Sequence, residues 1–306
     1  MKKVILVSDN PLSRSVAPLA KSLSVMGVAV DSLRTGDKIT DKNAIVHCFG
    51  LRAAQATHRL KNPRVITLSE EPDNHFMAKW RQKSWIRGAK LIATSKFIGN
   101  GWGIKSVIRT GLNLAIFNPD AIPARRQTDI FQKYNIPHDR KMIVALGPVK
   151  DSLPDIIDMA EDLDRQDFII AMVGELSPAS GKKLTKDARK AGLGDKIIFI
   201  GVEPDMPSLL RSAFFVLSLY DHKYMPAALS LGTPVIAMKR GLAPEIPTNW
   251  EIDPDDVEEF RDAFSAALDL STGEKSQIAM DNAKFAKKFL DINKTASEYI
   301  ELYSKL

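Results

Sequence analysis

The sequence predicts an α/β protein built from two doubly wound, Rossmann-like domains that face each other across a ligand-binding cleft. Three observations carry this expectation. At 306 residues the chain is too long for one ordinary core and suits two. Short apolar runs alternate with helical stretches, the pattern of parallel strands buried on both faces. The alternation is interrupted once, at Pro119 to Gln127, where Pro123 is followed by Arg125 and Arg126, and then restarts. That stretch reads as a linker, so the expected domains are residues 1–120 and 121–306.

In the first half, Val4 to Val7 is a compact apolar run ended by Ser8-Asp9-Asn10-Pro11, and a helical pattern follows from Val16 to Met26. Val28 to Leu33, Ala44 to His47 and Val65 to Leu68 read as strands, with a helix near Leu51 to Leu60. Lys90 to Thr94 and Ser106 to Arg109 read as two more strands. In the second half the strands are Met142 to Leu146, Phe168 to Val173, Lys196 to Ile200, Phe214 to Leu219 and Pro234 to Met238. Helices are expected at Pro154 to Leu163, Gly181 to Ala191, Met206 to Ser212, Ala227 to Leu231, Asp255 to Leu268 and Ser276 to Leu306. No internal repeat or low-complexity stretch stands out.

Composition narrows the class. Cys48 is the single cysteine, which excludes an intrachain disulfide and a cysteine-based metal cluster and fits a reducing compartment. Lys2 and Lys3 before Val4 to Val7 resemble the opening of a signal peptide, but Asp9, Asn10 and Pro11 end the apolar run far too early. A cytoplasmic protein is expected. Residues 1–120 carry 19 Lys and Arg against 8 Asp and Glu, a net +11, whereas residues 121–306 carry 24 against 29, a net −5. A solvated basic face and a surface that meets an acidic partner both account for this asymmetry. No nucleic-acid motif accompanies it, so no nucleic-acid partner is expected. The histidines fall at no metal-ligand spacing, and no Ser-His-Asp arrangement or Walker-type loop is present.

Glycines stand directly after three strands of the second half, at Gly147, Gly174 and Gly201. In open α/β sheets ligands bind beyond the carboxyl ends of the strands, where glycine lets a backbone approach closely. Three such glycines together point to one shared ligand rather than three unrelated tight turns.

The order of segments then supplies a resemblance. Val107-Ile108-Arg109-Thr110-Gly111-Leu112-Asn113, with Phe117 and Pro119, resembles the "IPNGVD…F-P" signature of family-four GT-B glycosyltransferases. Ile143 to Gly147 is similar to that family's "VGR" strand, Ala171 to Glu175 to "IVGDG", and Lys196 to Gly201 to "VKFLG". Met206 to Ala213 matches "LPELYAAAD", Leu231 to Ala237 is nearly "CGTPVIA", and Gly241 to Ile246 resembles "GGLPEV". The last residues, through Glu298 and Tyr303, resemble the family's closing helix, here expected to end the second domain. The first half is looser: Ala44 to Gly50 is similar to "DVVHAHG" and Val65 to Ser69 to "VVTLHD".

The resemblance implies a GT-B fold and a nucleotide-sugar donor held on the second domain, with the acceptor on the first. It implies transfer of the sugar to a glycan or lipid-linked acceptor, with retention of configuration, no required metal and no cofactor. The chemical task is to stabilise a departing diphosphate while positive charge builds at the anomeric carbon. Helix N-termini behind glycine turns supply amide donors for this. The expected donor-side residues are Gly147, Lys150, Gly174, Glu175, Gly232, Thr233 and Glu245, with Asp221 and His222 as catalytic candidates and Lys223 beside them. Asn10, Ser13 and Arg14 after the first strand are the acceptor-side candidates, with helix capping as the other account of them.

Three departures open a second reading. Pro148 stands where the family places an Arg, Ala227 where it places the second of its paired glutamates, and Ser69 where it places a His. A catalytically degenerate homologue acting as a binding or partner subunit accommodates all three. Finally, His75 to Arg87 is basic and aromatic, with Lys79, Trp80, Arg81, Lys83 and Trp85. It fits an interfacial helix at an anionic membrane, which would place the protein at the inner face, or a helix that packs its tryptophans inward.

Overall fold

The structure is a computed structural model. It describes every residue except Met1, Arg14, Asn74, 161–162, Asp164, 221–223, 240–242 and Pro247. Two compact units emerge, Met1–Asn113 with Phe289–Leu306, and Leu114–Lys288.

The first unit holds β1 (Val4–Ser8), α1 (Val16–Val25), β2 (Val30–Arg34), β3 (Ile45–Phe49), α2 (Leu51–Thr57), β4 (Arg64–Leu68), α3 (Phe76–Ile86), β5 (Lys90–Ala93) and α4 (Lys96–Trp102). Its sheet is parallel throughout, in the order β2-β1-β3-β4-β5. The order reverses between β1 and β3, so the topological switch point lies there. Period-two alternation divides the strand side chains between two cores. Val4, Leu6 and Ile45 pack with Leu19 and Leu23 of α1, while Ile5, Val7, Val46 and Ile66 pack with Ala53 and Ala54 of α2 and Ile86 of α3.

The second unit restarts the pattern with α5 (Ala124–Lys133), β6 (Lys141–Leu146), α6 (Val149–Ala160), β7 (Phe168–Val173), α7 (Pro178–Lys190), β8 (Ile197–Gly201), α8 (Met206–Ser212) and β9 (Phe215–Ser218). It continues with α9 (Met225–Ser230), β10 (Val235–Met238), β11 (Trp250–Ile252), α10 (Val257–Leu268) and α11 (Thr272–Phe289). Its parallel sheet runs β11-β10-β9-β6-β7-β8, a Rossmann order with its switch point between β6 and β9. One core joins Ile143, Phe168, Ile170, Phe215 and Leu217 of the strands to Leu153 and Ile156 of α6 and Phe260 and Phe264 of α10. The rings of Phe168 and Phe215 each meet Phe264 edge-on at 5.2 Å.

Four expectations need correction. The Pro119 to Gln127 stretch is not a linker: Pro119–Ala121 is a single 3₁₀ turn, and α5 begins at Ala124. The polar surface of α5 hid its helix, and Arg126 ties it to Asp205 of the same unit through two contacts of 2.6 and 3.2 Å. The first unit therefore ends at Asn113 rather than at residue 120. Ser106 to Arg109 is not a strand but a lone bridge of Val107 to Ala93.

The expected long terminal helix is two helices, and the closing one (Ile292–Tyr303) belongs to the first unit. The break arises because Leu290 O accepts from Leu112 N at 2.6 Å and Ile292 N donates to Leu112 O at 2.9 Å. Those bonds take Leu290 and Ile292 out of a continuous ladder, and Asp291 caps the new helix through Asn293 N. Tyr299 and Tyr303 of the closing helix then enter the core beside α1.

The helix after β6 starts at Val149, not at Pro154. Proline suits a first helical position, which is why the sequence suggests Pro154. Here Pro148 O accepts from Asp151 N at 2.9 Å and Ser152 N at 3.0 Å, so the helix begins directly behind Gly147. β11, α4 and α5 had no counterpart in the sequence reading.

Candidate functional site

The carboxyl edge of the second sheet is the place where a Rossmann order holds a ligand. Strands β6, β7 and β8 lie side by side, and the three glycines that follow or end them are neighbours. Gly147 N donates to Val173 O at 3.4 Å, and Gly174 N donates to Gly201 O at 3.0 Å. Gly147 has φ +127° and Gly201 φ +75°, conformations that side chains disfavour. At Gly174 the constraint is space instead: a Cβ there would lie 2.5 Å from Gly147 O and 3.2 Å from Val149 Cγ2. The glycines thus first bring two strand ends into contact, and that contact leaves the start of α6 open at the edge.

The twelve residues of α6 give its N-terminus a helix dipole, and with Asp151 N and Ser152 N bonded to Pro148 O the amides of Val149 and Lys150 are the ones left at its start. Lys150, in its first turn, is exposed and places a cation beside them. Glu175, directly after Gly174, is exposed at the adjacent strand end. Across the switch point, β9 ends at Ser218. Tyr220, two residues on, donates from its hydroxyl to Asp155 Oδ2 of α6 at 2.8 Å, which pins the loop's start to that helix. Asp221, His222 and Lys223, which follow, lie outside the described residues. Glu245 ends a 3₁₀ turn (Ala243–Glu245) on the carboxyl side of β10 and is half-buried. Gly241 and Leu242 of the same motif also lie outside the described residues.

The structure therefore gathers Gly147, Lys150, Gly174 and Glu175 at one edge, with Glu245 beyond the next strand pair. It does not bring Gly232 and Thr233 there. These two precede β10, so they sit at the amino edge of the sheet, on the side away from the switch-point crevice. Both are buried. Thr233 Oγ1 donates to Leu210 O at 2.9 Å, and a Cβ on Gly232 would meet Ala279 Cβ of α11 at 2.9 Å. Their motif is a packing device, not a phosphate cradle.

On the first unit, Asn10 and Ser13 serve the backbone locally. Asn10 Oδ1 accepts from Leu12 N at 3.1 Å, and Ser13 Oγ accepts from Val16 N at 3.3 Å, the first residue of α1. Asn10 thus closes a local turn and Ser13 steadies the first residue of α1, whose N-cap Ser15 makes no side-chain bond; Arg14 lies outside the described residues. Two residues that sequence reasoning passed over flank the switch point instead. Asp9 follows β1, Arg52 is the second residue of α2 after its N-cap Gly50, and their charged groups approach to 3.5 Å. A cation placed just after a strand-end glycine was the available signal.

Two buried polar networks stand outside these edges. His47 on β3 is fully buried, with Nδ1 2.6 Å from Tyr303 Oη and Nε2 2.8 Å from Thr67 Oγ1, which also meets Tyr299 Oη at 2.8 Å. Burial pushes its imidazole down to a pKa of about 3, so it is neutral near pH 7. Glu203, after β8, is almost fully enclosed and bonded to Lys133 Nζ at 2.7 Å, to the Tyr134 hydroxyl and to Asp205 N at 2.7 Å. Burial alone would raise its carboxyl pKa, but these donors outweigh it and the net shift is downward.

Among the described residues no set of three or more His, Cys, Asp or Glu side chains is arranged to hold a metal, and no helix is long and apolar enough to cross a membrane.

Comparison with known proteins agrees with this architecture. A glycosyltransferase from Rickettsia africae is 18% identical and superposes with a TM-score of 0.82, over 99% of this chain and 98% of its own. Anabaena HepE, solved with UDP and glucose, is 16% identical with a TM-score of 0.81 over 100% of both chains. Sucrose-phosphate synthase from Thermosynechococcus elongatus is 14% identical with a TM-score of 0.79 over 99% of both. At these identities the likeness shows the fold. No curated protein matches the sequence. The model of the family "Glycosyl transferases group 1" matches residues 126–285, just over half of the chain, and spans the Rossmann edge from α6 to α11. This chain belongs to the glycosyl transferases group 1 family.

Proposed function

We propose that the protein transfers a sugar from a nucleotide-sugar donor to a glycan or lipid-linked acceptor, with retention and without a metal. The observation that carries the reading is the open start of α6 behind Gly147, at the β6 edge of the switch point in the unit the family model matches. The amides of the first turn and the Lys150 ammonium suit a diphosphate leaving group, and both gain strength as charge moves onto it. Glu175 and Glu245 are the acceptors on this side for sugar or ribose hydroxyls, and Asp221 and His222 are the catalytic pair expected beyond Tyr220. The neighbour HepE was solved with UDP-glucose, which favours a uridine nucleotide as the first donor to try.

On the first unit the acceptor is assigned to the Asp9–Arg52 edge. The second reading, a partner subunit without transferase activity, draws on Pro148, Ala227 and Ser69, and Ala227 is buried with no polar atom to offer a ribose. The reading extends to peripheral contact with an anionic membrane at its cytoplasmic face. Trp85 packs into the core next to Ile86, while Trp80 is 63% and Met77 65% exposed on α3 beside Lys79, Arg81 and Lys83. Only the outward tryptophan is free for a bilayer, and the cations around it match anionic headgroups.

The test is calorimetry with UDP, GDP, ADP, CMP and their sugar conjugates, followed by NMR of the anomeric product in EDTA. Transfer with retained configuration is expected. Failure to bind any nucleotide at millimolar concentration would set the transferase reading aside in favour of the partner-subunit one.

A further inference from the structure

The amino edge of the second sheet, remote from the ends that bind donor, gathers cations faster than acceptors. Lys141 opens β6, Arg211 lies near the end of α8, and Lys275 lies in the first turn of α11. Lys275 and Lys141 converge on Phe214, the residue before β9. Lys275 Nζ stands 3.7 Å and Lys141 Nζ 5.1 Å from its ring centre. Gly232 presses on Ala279, one turn along α11 from Lys275, and the neighbouring Leu231 O accepts from Arg211 Nη1 at 3.2 Å. Arg211 and Lys275 therefore flank the same short turn.

The acceptors nearby are already engaged. Asp167 bonds to Lys141 at 2.9 Å and twice to Arg165, and Leu268 O takes a second Lys141 proton at 2.8 Å. Glu274, next to Lys275 in sequence, accepts from Ser271 N and Oγ. That leaves the buried Nε–H of Arg211 with no acceptor. Lys275 is half-buried against a ring face, and among the described residues no hydrogen-bond acceptor reaches its ammonium. Burial first, then the charges of Arg211 and Lys141, pull its pKa down to about 8. Buried donors and like charges in one place are costly unless an anion completes them.

We infer that Arg211 and Lys275, backed by Lys141 over Phe214, form a second ligand site that takes a phosphate group. An oxyanion set between them would pair with the Arg211 guanidinium and the Lys275 ammonium together and offset the repulsion between these two cations. The site is separate from the donor edge, so its occupant is an effector rather than a substrate.

The probes are inorganic phosphate and glycerol phosphate, each against chloride of matched ionic strength. The readout is the rate at which an amine-selective reagent modifies Lys275 near pH 8, followed by mass spectrometry. Phosphate at ten times its dissociation constant is expected to slow that modification about tenfold, since only the free site reacts. Arg211→Gln, which keeps a donor for Leu231 O, is expected to abolish the protection, whereas Lys150→Ala at the donor edge leaves it intact. Tighter protection by inorganic phosphate identifies the free ion as the occupant, and tighter protection by the ester identifies a phosphomonoester. Modification of wild-type Lys275 at the chloride rate with both probes at millimolar concentration would overturn the site. Protection lost equally in Lys150→Ala would do the same.

Discussion

Gly174 and Gly147 touch backbone to backbone: a Cβ on Gly174 would lie 2.5 Å from the carbonyl oxygen of Gly147. The contact joins the ends of two neighbouring strands and sets where α6 begins. Gly174→Ala should therefore displace the Gly147 turn. A loss of about 1–3 kcal/mol is expected from such overpacking, together with weaker nucleotide binding. Urea unfolding and calorimetry check it; unchanged unfolding with unchanged binding would show that the turn yields without cost.

Lys150 is an exposed member of the same edge, so its removal separates binding from folding. Lys150→Ala should weaken binding of the nucleoside diphosphate by about tenfold or more, the scale of a lost hydrogen bond to a charged group. The melting temperature without ligand should stay within about 1 °C of wild type. Equal affinity for the diphosphate in both proteins would remove Lys150 from the site.

The buried histidine gives a pH prediction with a definite sign. His47 has a pKa near 3 in the folded protein, below the usual value of about 6.5 when unfolded. The unfolded chain therefore binds more protons between those values. The His47 contribution is fully present above about pH 6.5 and is lost progressively as the pH falls towards 3. Denaturation midpoints measured across this window should fall less steeply in His47→Gln than in wild type. Parallel slopes would mean that His47 is not the group that titrates.

Tyr303→Phe tests the fastening of the closing helix to the first unit. It removes the hydroxyl 2.6 Å from His47 Nδ1 and leaves a buried polar atom unpaired, a loss of about 1–3 kcal/mol. Hydrogen exchange should rise first in Ile292–Tyr303. Exchange that rises uniformly across both units instead would show that this helix is not held locally.

The outward face of α3 predicts lipid dependence. Replacing Lys79, Arg81 and Lys83 with glutamine should weaken sedimentation with anionic vesicles by about a hundredfold, at about 1 kcal/mol per cation near the surface. Trp80→Ala should weaken it further, and zwitterionic vesicles should capture neither protein. Wild-type protein left in the supernatant with anionic vesicles would end the membrane reading.

Much of the protein was legible in one dimension. Runs such as Val4 to Val7, Ile143 to Leu146 and Phe168 to Val173 are apolar on both sides, which only a covered parallel strand explains, and they lie where the sequence reading put them. The glycines after β6 and β7 and at the end of β8 were visible for the same reason: they punctuate such runs. What escaped was whatever depends on a distant partner. Asp291 alone is a weak local sign of the helix break near residue 290, because the bonds that cause it come from Leu112. Nothing in Gly232-Thr233 distinguishes an amide cradle from a packing turn, because the distinction rests on Ala279 and Leu210.

The sequence by itself determined most of the strands, the burial of the central ones on both faces, the restart that makes two units and the family that the ordered motifs carry. Those are local properties, since hydrophobic period and turn chemistry act over a few residues. The tertiary structure alone decided which edge of the sheet each motif reaches, which unit takes the closing helix and where cations meet without acceptors. These depend on strand order and on pairings between residues far apart in the chain, which no short-range pattern encodes.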